Sequence, residues 1–257
     1  MFRDIRIQRQ SMQNKKMAYC SQCIGMTGNY LRLLTNAWFI YFIILILIIF
    51  FRYSYSEELN KFTIARIRYD GGGDWYNDPS IIPNLCKEIR NRTNIDVADD
   101  QEIVTLESNK IFDYPFLFLT GHGNIELKQE EIKNLRDYLL KGGFLYADDD
   151  YGMDKYFRRE IKTVFPDKEL KELPFSHPLF HCYYEFPNGL PKIHKHDGKK
   201  PQAFAMFDDY GRMMILYTYE SNISDGWASP EVHKDPEEVR EQAFKIGINI
   251  CYYVLTH

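Results

Sequence analysis

The sequence predicts an α/β domain with a mainly parallel sheet in three layers, preceded by one N-terminal transmembrane helix. Short apolar runs alternate with stretches of helical periodicity between residues 62 and 257. Runs such as Phe116–Leu119 are apolar throughout, which is typical of strands that helices cover on both faces. Residues 37–51 form one unbroken apolar run, which with its neighbours approaches the roughly 20 residues that cross a bilayer.

The first 61 residues are interpreted as a membrane anchor with its flanks. Residues 1–36 are rich in Arg and Lys, so the positive-inside rule predicts a cytoplasmic tail and a periplasmic or otherwise extracytoplasmic domain. Residues 52–61 are a polar linker, and residues 62–257 are the domain. A cleaved signal peptide is the alternative, but we favour an uncleaved anchor because the basic tail is long. Cys20 and Cys23 form a lone CxxC pair, a weak metal or redox signal.

The first half of the domain contains three or four predicted strands and two helices. Residues 62–69 alternate apolar and charged residues, as a strand does, and three glycines end it. Asp78 followed by Pro79 predicts a helix start, with Asp78 as N-cap. Residues 95–106 contain one or two short strands, and Phe116–Leu119 is the next strand. Glu130 and Glu131 then open a helix that Gly142 closes.

The second half repeats this alternation with one interruption. The pattern predicts a strand over Phe144–Ala147 and a helix over Met153–Val164. The segment Pro174–Gly198 is irregular and of a length typical of functional lids. Ala203–Phe207 and Met213–Tyr219 are a pair of late strands, and a capping box at residues 235–238 opens the last helix.

Polar side chains follow the predicted strands where open α/β sheets bind their ligands, beyond the carboxyl ends. The three-glycine turn leads to an aspartate and a tryptophan, the buried strand ends in Thr-Gly-His-Gly, and the next strand ends in three aspartates. The irregular segment adds histidines as a cover, and the late strand ends in a glutamate. The predicted ligand-binding residues are Asp74, Trp75, His122, Asp148, Asp149, Asp150, His177, His181 and Glu220.

The composition narrows the chemistry without naming a reaction. A net charge of −4 gives no sign of a nucleic-acid partner, and we expect no cofactor. Cys86, Cys182 and Cys251 are interpreted as small core residues, so no catalytic nucleophile is assigned. Metal binding stays open. The aspartate run lacks calcium-loop spacing, and His194 with His196 completes no zinc motif. Residues 224–227 are a further candidate for the rim of the cleft.

Several ordered motifs resemble one family. They are RYDGGGDWYNDP from residue 68, YPFLFLTGHG from 114, GGFLYADDDYGMD from 142, FPNGLPKIH from 186 and YESNISDGW from 219. Together they resemble the bacterial domain-of-unknown-function 4159 family over residues 62–257. The resemblance implies a fold similar to class I glutamine amidotransferases, without an established activity, and some relatives are tethered to membranes. The amidotransferase cysteine is missing where Asp148–Asp150 fall, and its His-x-Glu is not kept at residues 218–220, so thioester chemistry does not carry over.

Three functional hypotheses follow from these residues. The leading hypothesis is a membrane-anchored, non-catalytic module that binds a small polar ligand or a partner at the carboxyl edge of its sheet. The alternative is a hydrolase of sugars or peptides that uses a carboxylate and a histidine as acid and base. A scaffold in a membrane complex is the third. A carboxylate with a strongly raised pKa within hydrogen-bond reach of His122 would favour the enzyme.

Overall fold

The computed structural model describes residues 41–49 and 61–257, and the compact domain begins at Lys61. The predicted basic tail, residues 1–36, lies outside the described residues, as does nearly all of the predicted linker. Residues 41–49 are helical and exposed. Within the described ranges, no helix has both the length and the apolar character that crossing a bilayer requires. The remaining residues of the predicted span, 37–40 and 50–51, are not described.

The domain is a mixed α/β fold with a seven-stranded, mostly parallel sheet, as predicted. Its strand order is β2-β1-β3-β4-β7-β6-β5. The five strands from β2 to β7 in that order run parallel, whereas β6 and β5 are antiparallel to their neighbours. The strands are β1 Ile64–Arg68, β2 Glu102–Thr105, β3 Phe116–His122, β4 Phe144–Tyr151, β5 Lys171–Glu172, β6 Gln202–Phe207 and β7 Met213–Tyr219.

Helices cover both faces of this sheet. The α-helices are α1 Ile81–Arg92, α2 Gln129–Leu140, α3 Asp154–Val164, α4 Pro230–His233 and α5 Glu237–Thr256. Helices α1 and α5 pack over one core cluster, which includes Phe118 and Tyr146. Helices α2 and α3 pack over a second cluster, which includes Leu117 and Leu145. Because neighbouring residues of β3 and β4 belong to different clusters, the two strands are buried on both sides.

Most predicted elements are confirmed, and two helix starts differ for a shared reason. Helix α1 begins at Ile81 with Ser80 at its N-cap rather than Asp78. Helix α5 begins at Glu237 without a side-chain cap. In both cases the aspartate expected to cap its helix faces a histidine instead: Asp78 contacts His233 and Asp235 contacts His194. These two carboxylates therefore do not cap their helices. They contact the histidines of a polar cluster that loops and a short helix bring together.

Candidate functional site

The candidate site lies where the carboxyl ends of β1, β3, β4 and β7 meet. Strand β1 pairs with β2 on one side and with β3 on the other. The chain therefore leaves β1 in one direction and later returns on its opposite side, which makes the β1/β3 boundary a topological switch point. Ligands of open α/β sheets bind at such boundaries. The loop after β1 and the tip of β3 supply Asp74 and His122.

The first feature of the site is a histidine–aspartate pair. The Nδ1 atom of His122 lies 3.0 Å from Oδ2 of Asp74, and the backbone N–H of His122 donates to Oδ1 of the same carboxylate. Asp74 therefore binds both the imidazole and the backbone of its partner. Half of the His122 side chain is exposed, and its Nε2 atom has no hydrogen-bond partner among residues 61–257.

Glycine makes the close approach of these two residues possible. Gly121 has a φ of +135°, and a Cβ atom there would lie 2.5 Å from the Tyr69 hydroxyl and 3.0 Å from Oδ1 of Asp74. A side chain at position 121 would push Asp74 away from His122. The glycines around the histidine therefore serve the approach of the carboxylate.

Asp150 is the second carboxylate at the His122 ring. Its Oδ2 atom lies 3.3 Å from Nδ1 of His122, and Asn77 donates a hydrogen bond to the same oxygen. The buried guanidinium of Arg66 in turn donates to the Asn77 carbonyl at 2.6 Å and to its side-chain oxygen at 2.9 Å. Burial lowers the Arg66 pKa to about 10. The loop after β1 is thus fixed against the tips of β3 and β4.

Asp150 also faces a third carboxylate, that of Asp225. Both side chains are buried. Burial, followed by the charge and hydrogen bond of Asp225, raises the pKa of Asp150 to about 9. In its neutral form Asp150 can donate a hydrogen bond while its Oδ2 atom accepts from Asn77. A carboxyl group with a strongly raised pKa therefore lies beside His122, 3.3 Å from its Nδ1 atom.

The other two aspartates of β4 hold the fold around the site. Asp148 is fully buried, and it accepts from the Ser224 backbone at 2.6 Å, from the Ser224 hydroxyl at 2.7 Å and from the hydroxyl of Thr218. Burial raises its pKa. Asp149 points to the opposite face, where it accepts from the backbone N–H of Met153 at 2.9 Å at the start of α3. Burial raises the pKa of Asp149 to about 7. The hydrogen bond from Met153 opposes this shift, and nearby acids add to it.

A second cluster of histidines and carboxylates adjoins Asp150. Ligand atoms of His194, Asp225 and His233 lie within 4.8 Å of one another, a set that can hold a metal ion. The Nδ1 atom of His194 lies 3.0 Å from Asp225 Oδ2, and this hydrogen bond is the main cause of a raised His194 pKa. Buried Asn222 donates to Asp225, and its Nδ2 atom lies 2.9 Å from Nδ1 of His194.

Trp75 and Glu220, both predicted as ligand-binding residues, have structural neighbours. Trp75 packs against the core cluster under α2 and α3, and the Arg68 guanidinium lies 5.9 Å from its ring. Glu220 is buried and pairs with Lys192, whose Nζ lies 2.8 Å from Oε2. Neither residue hydrogen-bonds to His122, Asp74 or Asp150 within residues 61–257.

The structure does not bring His177 and His181 to this site. The His177 ring packs at a tilt against the ring of Tyr253, near the end of α5, and His181 pairs with Glu185 at 2.6 Å. By contrast, Arg240 near the start of α5 binds the carbonyl of Ala228, which follows the segment that carries Asp225. Thirteen residues of helix separate Arg240 from Tyr253, or about 20 Å at 1.5 Å per residue. These two histidines therefore lie toward the far end of that helix.

Several residues of the site carried little signal in the sequence. In the sequence His194 belongs only to an incomplete zinc motif, and Asp225 only to a segment predicted for the rim of the cleft. Asn222 and His233 were not singled out, because no spacing rule links residues in irregular segments and short helices. Two aspartates that the sequence marks as helix caps do belong to this cluster. Asp78 contacts His233, and Asp235 contacts His194.

Comparison with known families agrees with this assignment of the domain. The family model described as "Domain of unknown function (DUF4159)" matches residues 63–255. That match covers most of the chain, so the chain belongs to this family. No curated protein matches the chain.

Proposed function

We propose that this DUF4159 domain binds a small polar substrate at the carboxyl edge of its sheet and hydrolyses it with His122 as general base. The substrate class is a sugar or peptide derivative, whose hydroxyl and amide groups suit a site lined with carboxylates. The observation that carries the proposal is the contact between His122 and Asp74.

That contact leaves the imidazole ready to accept a proton at one atom. The carboxylate of Asp74 lies 3.0 Å from Nδ1 and fixes the tautomer that has its proton there. The lone pair is then on Nε2, on a side chain that is half exposed. A histidine oriented by an aspartate is the usual design of a general base.

The reaction balances without a thiol or hydroxyl nucleophile from the protein. Nε2 of His122 takes a proton from a water molecule, and the oxygen of that water attacks the electrophilic carbon of the substrate. The bond to the leaving oxygen or nitrogen breaks, and the imidazolium returns its proton to that leaving atom. Asp74 orients the imidazole and stabilises the imidazolium.

The fold supports this location for a reaction. Asp150 at the tip of β4 occupies the region where the family resemblance would place an amidotransferase nucleophile. We infer that the domain is related to class I glutamine amidotransferases and has replaced attack by cysteine with attack by water. The apolar run over residues 37–51 and its basic flank support a single membrane span with the domain on the extracytoplasmic side.

The test uses chromogenic substrates, nitrophenyl glycosides and peptide nitroanilides, with the full-length chain in detergent. We expect turnover by the wild type and a loss of about 10²–10⁴-fold in kcat/KM for His122→Gln. Asp74→Asn is expected to lower kcat more than it raises KM, because it changes the tautomer rather than the binding surface. His181→Ala, far from the site, is the matched histidine control.

Two results would contradict the hydrolase. One is turnover that His122→Gln leaves unchanged. The other is a metabolite whose binding raises the Tm in a manner sensitive to His122→Gln, while no substrate is turned over. The second result supports a non-catalytic binding module instead. The contact of His122 with both Asp74 and Asp150 is also compatible with that module.

A further inference from the structure

We propose that His194, Asp225 and His233 bind one divalent transition-metal ion of the Zn²⁺ type, beside the His122 pair. The proposal goes beyond the hydrolase, because it rests on three other side chains and on a different measurement. These side chains come from the irregular segment before β6, from the single turn Ser224–Trp227 after β7, and from α4.

The distances between the ligand atoms match what such an ion requires. Two ligands that are each about 2.1 Å from a tetrahedral zinc ion lie about 3.4 Å apart. The two measured distances at Asp225 bracket this value. His194 Nδ1 lies 3.0 Å from Oδ2, and His233 Nε2 lies 3.8 Å from Oδ1. One ligand atom from each of the three residues lies within 4.8 Å of the other two, so the set is compact enough to surround one ion.

The surroundings of His194 have the arrangement that orients a metal ligand. The carboxylate of Asp235 lies 3.1 Å from Nε2, on the opposite side of the ring from Asp225. A carboxylate there holds the proton on Nε2 and leaves the Nδ1 lone pair for a cation. This explains why Asp235 contacts a histidine instead of capping α5.

Asn222 beside this cluster has a buried oxygen atom that no protein group pairs with among the described residues, which is a second indication of a ligand. This residue is fully buried, and its Nδ2 atom donates to Asp225 and lies 2.9 Å from Nδ1 of His194. Its Oδ1 atom is buried without a partner in the described part of the chain. An unpaired buried carbonyl oxygen destabilises the fold. A cation, or water bound to one, would pair with this oxygen.

The donor set also indicates which ions suit the site. Two imidazoles and one carboxylate favour Zn²⁺, Co²⁺ or Fe²⁺ over Mg²⁺ and Ca²⁺, which prefer oxygen ligands. Three protein ligands leave a fourth position, as in zinc sites that bind a water or a substrate. The carboxylate of Asp78, 2.7 Å from His233 Nε2, is the nearest candidate to share that position.

Co²⁺ is the probe for the test, because its visible absorption reports its ligands. The full-length chain, in detergent and freed of metal by a chelator, is titrated with Co²⁺ and then with Zn²⁺. We expect one Co²⁺ per chain, displaced by Zn²⁺, with His233→Ala and His194→Ala binding at least ~100-fold more weakly. Asp235→Asn, a milder change, is expected to weaken binding by about 10-fold. His181→Ala is the control for a surface histidine.

A wild-type chain that binds no Co²⁺ overturns the proposal, whatever the variants do. Binding that is equally strong in His233→Ala and Asp235→Asn overturns it too, since the ion is then elsewhere. The metal site and the hydrolase are tested by different measurements, Co²⁺ binding and substrate turnover, so either can fail alone. His122→Gln is expected to keep its Co²⁺ affinity, and failure of the metal titration leaves the effect of His122→Gln on turnover as an independent result.

Discussion

His122 and Asp74 are 48 residues apart in sequence, yet Asp74 binds both the imidazole and the backbone N–H of His122. The contact ties the loop after β1 to the tip of β3. Because these are the two strands at the switch point of the sheet, the contact lies where the fold directs ligands. It sets the orientation of the ring and the position of the backbone at the same time.

Gly121→Ala is expected to separate this pair. The added Cβ meets the Tyr69 hydroxyl and the Asp74 carboxylate at a φ of +135°, so both strain and collision oppose it. We expect a loss of about 2–4 kcal/mol in the free energy of unfolding, measured in urea. Gly211→Ala separates the two causes, because that glycine has a φ of +87° but no atom within 4 Å. If Gly211→Ala lowers the free energy of unfolding as much as Gly121→Ala does, backbone strain alone explains the loss and the predicted collision with Asp74 contributes nothing.

Asp149→Asn should change how stability depends on pH. Burial raises the pKa of Asp149 from 3.8 to about 7, so the folded state binds its proton more tightly than the unfolded state. The stability that this group contributes is complete below pH 4 and is lost as the pH rises toward 7. We therefore expect the variant to be more stable than the wild type by about 1–3 kcal/mol at pH 8, with the difference shrinking toward pH 4.

The amide oxygen of the new asparagine can still accept from Met153 at the start of α3, so the variant isolates the charge. Urea unfolding at a series of pH values measures the difference. A pH-independent difference between wild type and variant would contradict the raised pKa.

Asp148→Ala should loosen the turn that carries Asp225. It removes the acceptor for the backbone and hydroxyl of Ser224 and leaves these donors buried. We expect a loss of about 2–4 kcal/mol in unfolding free energy. Hydrogen exchange is expected to rise most at the Ser224 amide. An amide at Ser224 that stays as protected as in the wild type would show that the turn is held by other contacts.

Lys192→Met should be more harmful than removing both members of its ion pair. Glu220 is buried, and Lys192 lies 2.8 Å from it, while Lys199 is more distant at 4.0 Å. Loss of the nearer lysine leaves the carboxylate largely uncompensated, at a cost of about 3 kcal/mol. Adding Glu220→Gln is expected to restore more than half of that loss. Additive effects in the double-mutant cycle would rule out coupling between the two side chains.

The sequence was most informative where local pattern and topology agree. Apolar runs located the strands, and the rule that parallel strands share a carboxyl edge brought Asp74, His122 and Asp150 together in advance. The same period-two rule implies that Asp149 faces away from Asp148 and Asp150, as its contact with Met153 shows. The prediction that all three consecutive aspartates bind a ligand disregards this alternation, because adjacent residues of a strand point to opposite faces.

The remaining residues depend on tertiary packing that no local pattern encodes. His233 reaches Asp78 across 155 positions, and Asn222 reaches His194 across 28. Asp78 and Asp235 matched good capping patterns, but a histidine competed successfully for each carboxylate. The placement of His177 and His181 over the cleft assumed that the irregular segment folds back as a cover. Instead, His177 packs on α5.

Because side chains alternate between the two faces along β4, the register of this strand is critical. Two of its acids, Asp148 and Asp150, face the side of the candidate site, and Asp149 between them accepts from the start of α3 on the other side. Inserting or deleting one residue upstream in this strand would exchange those assignments, sending Asp149 toward Asn77 and the other two toward Met153. Length changes should therefore be tolerated far less well in β4 than in the turn between β6 and β7.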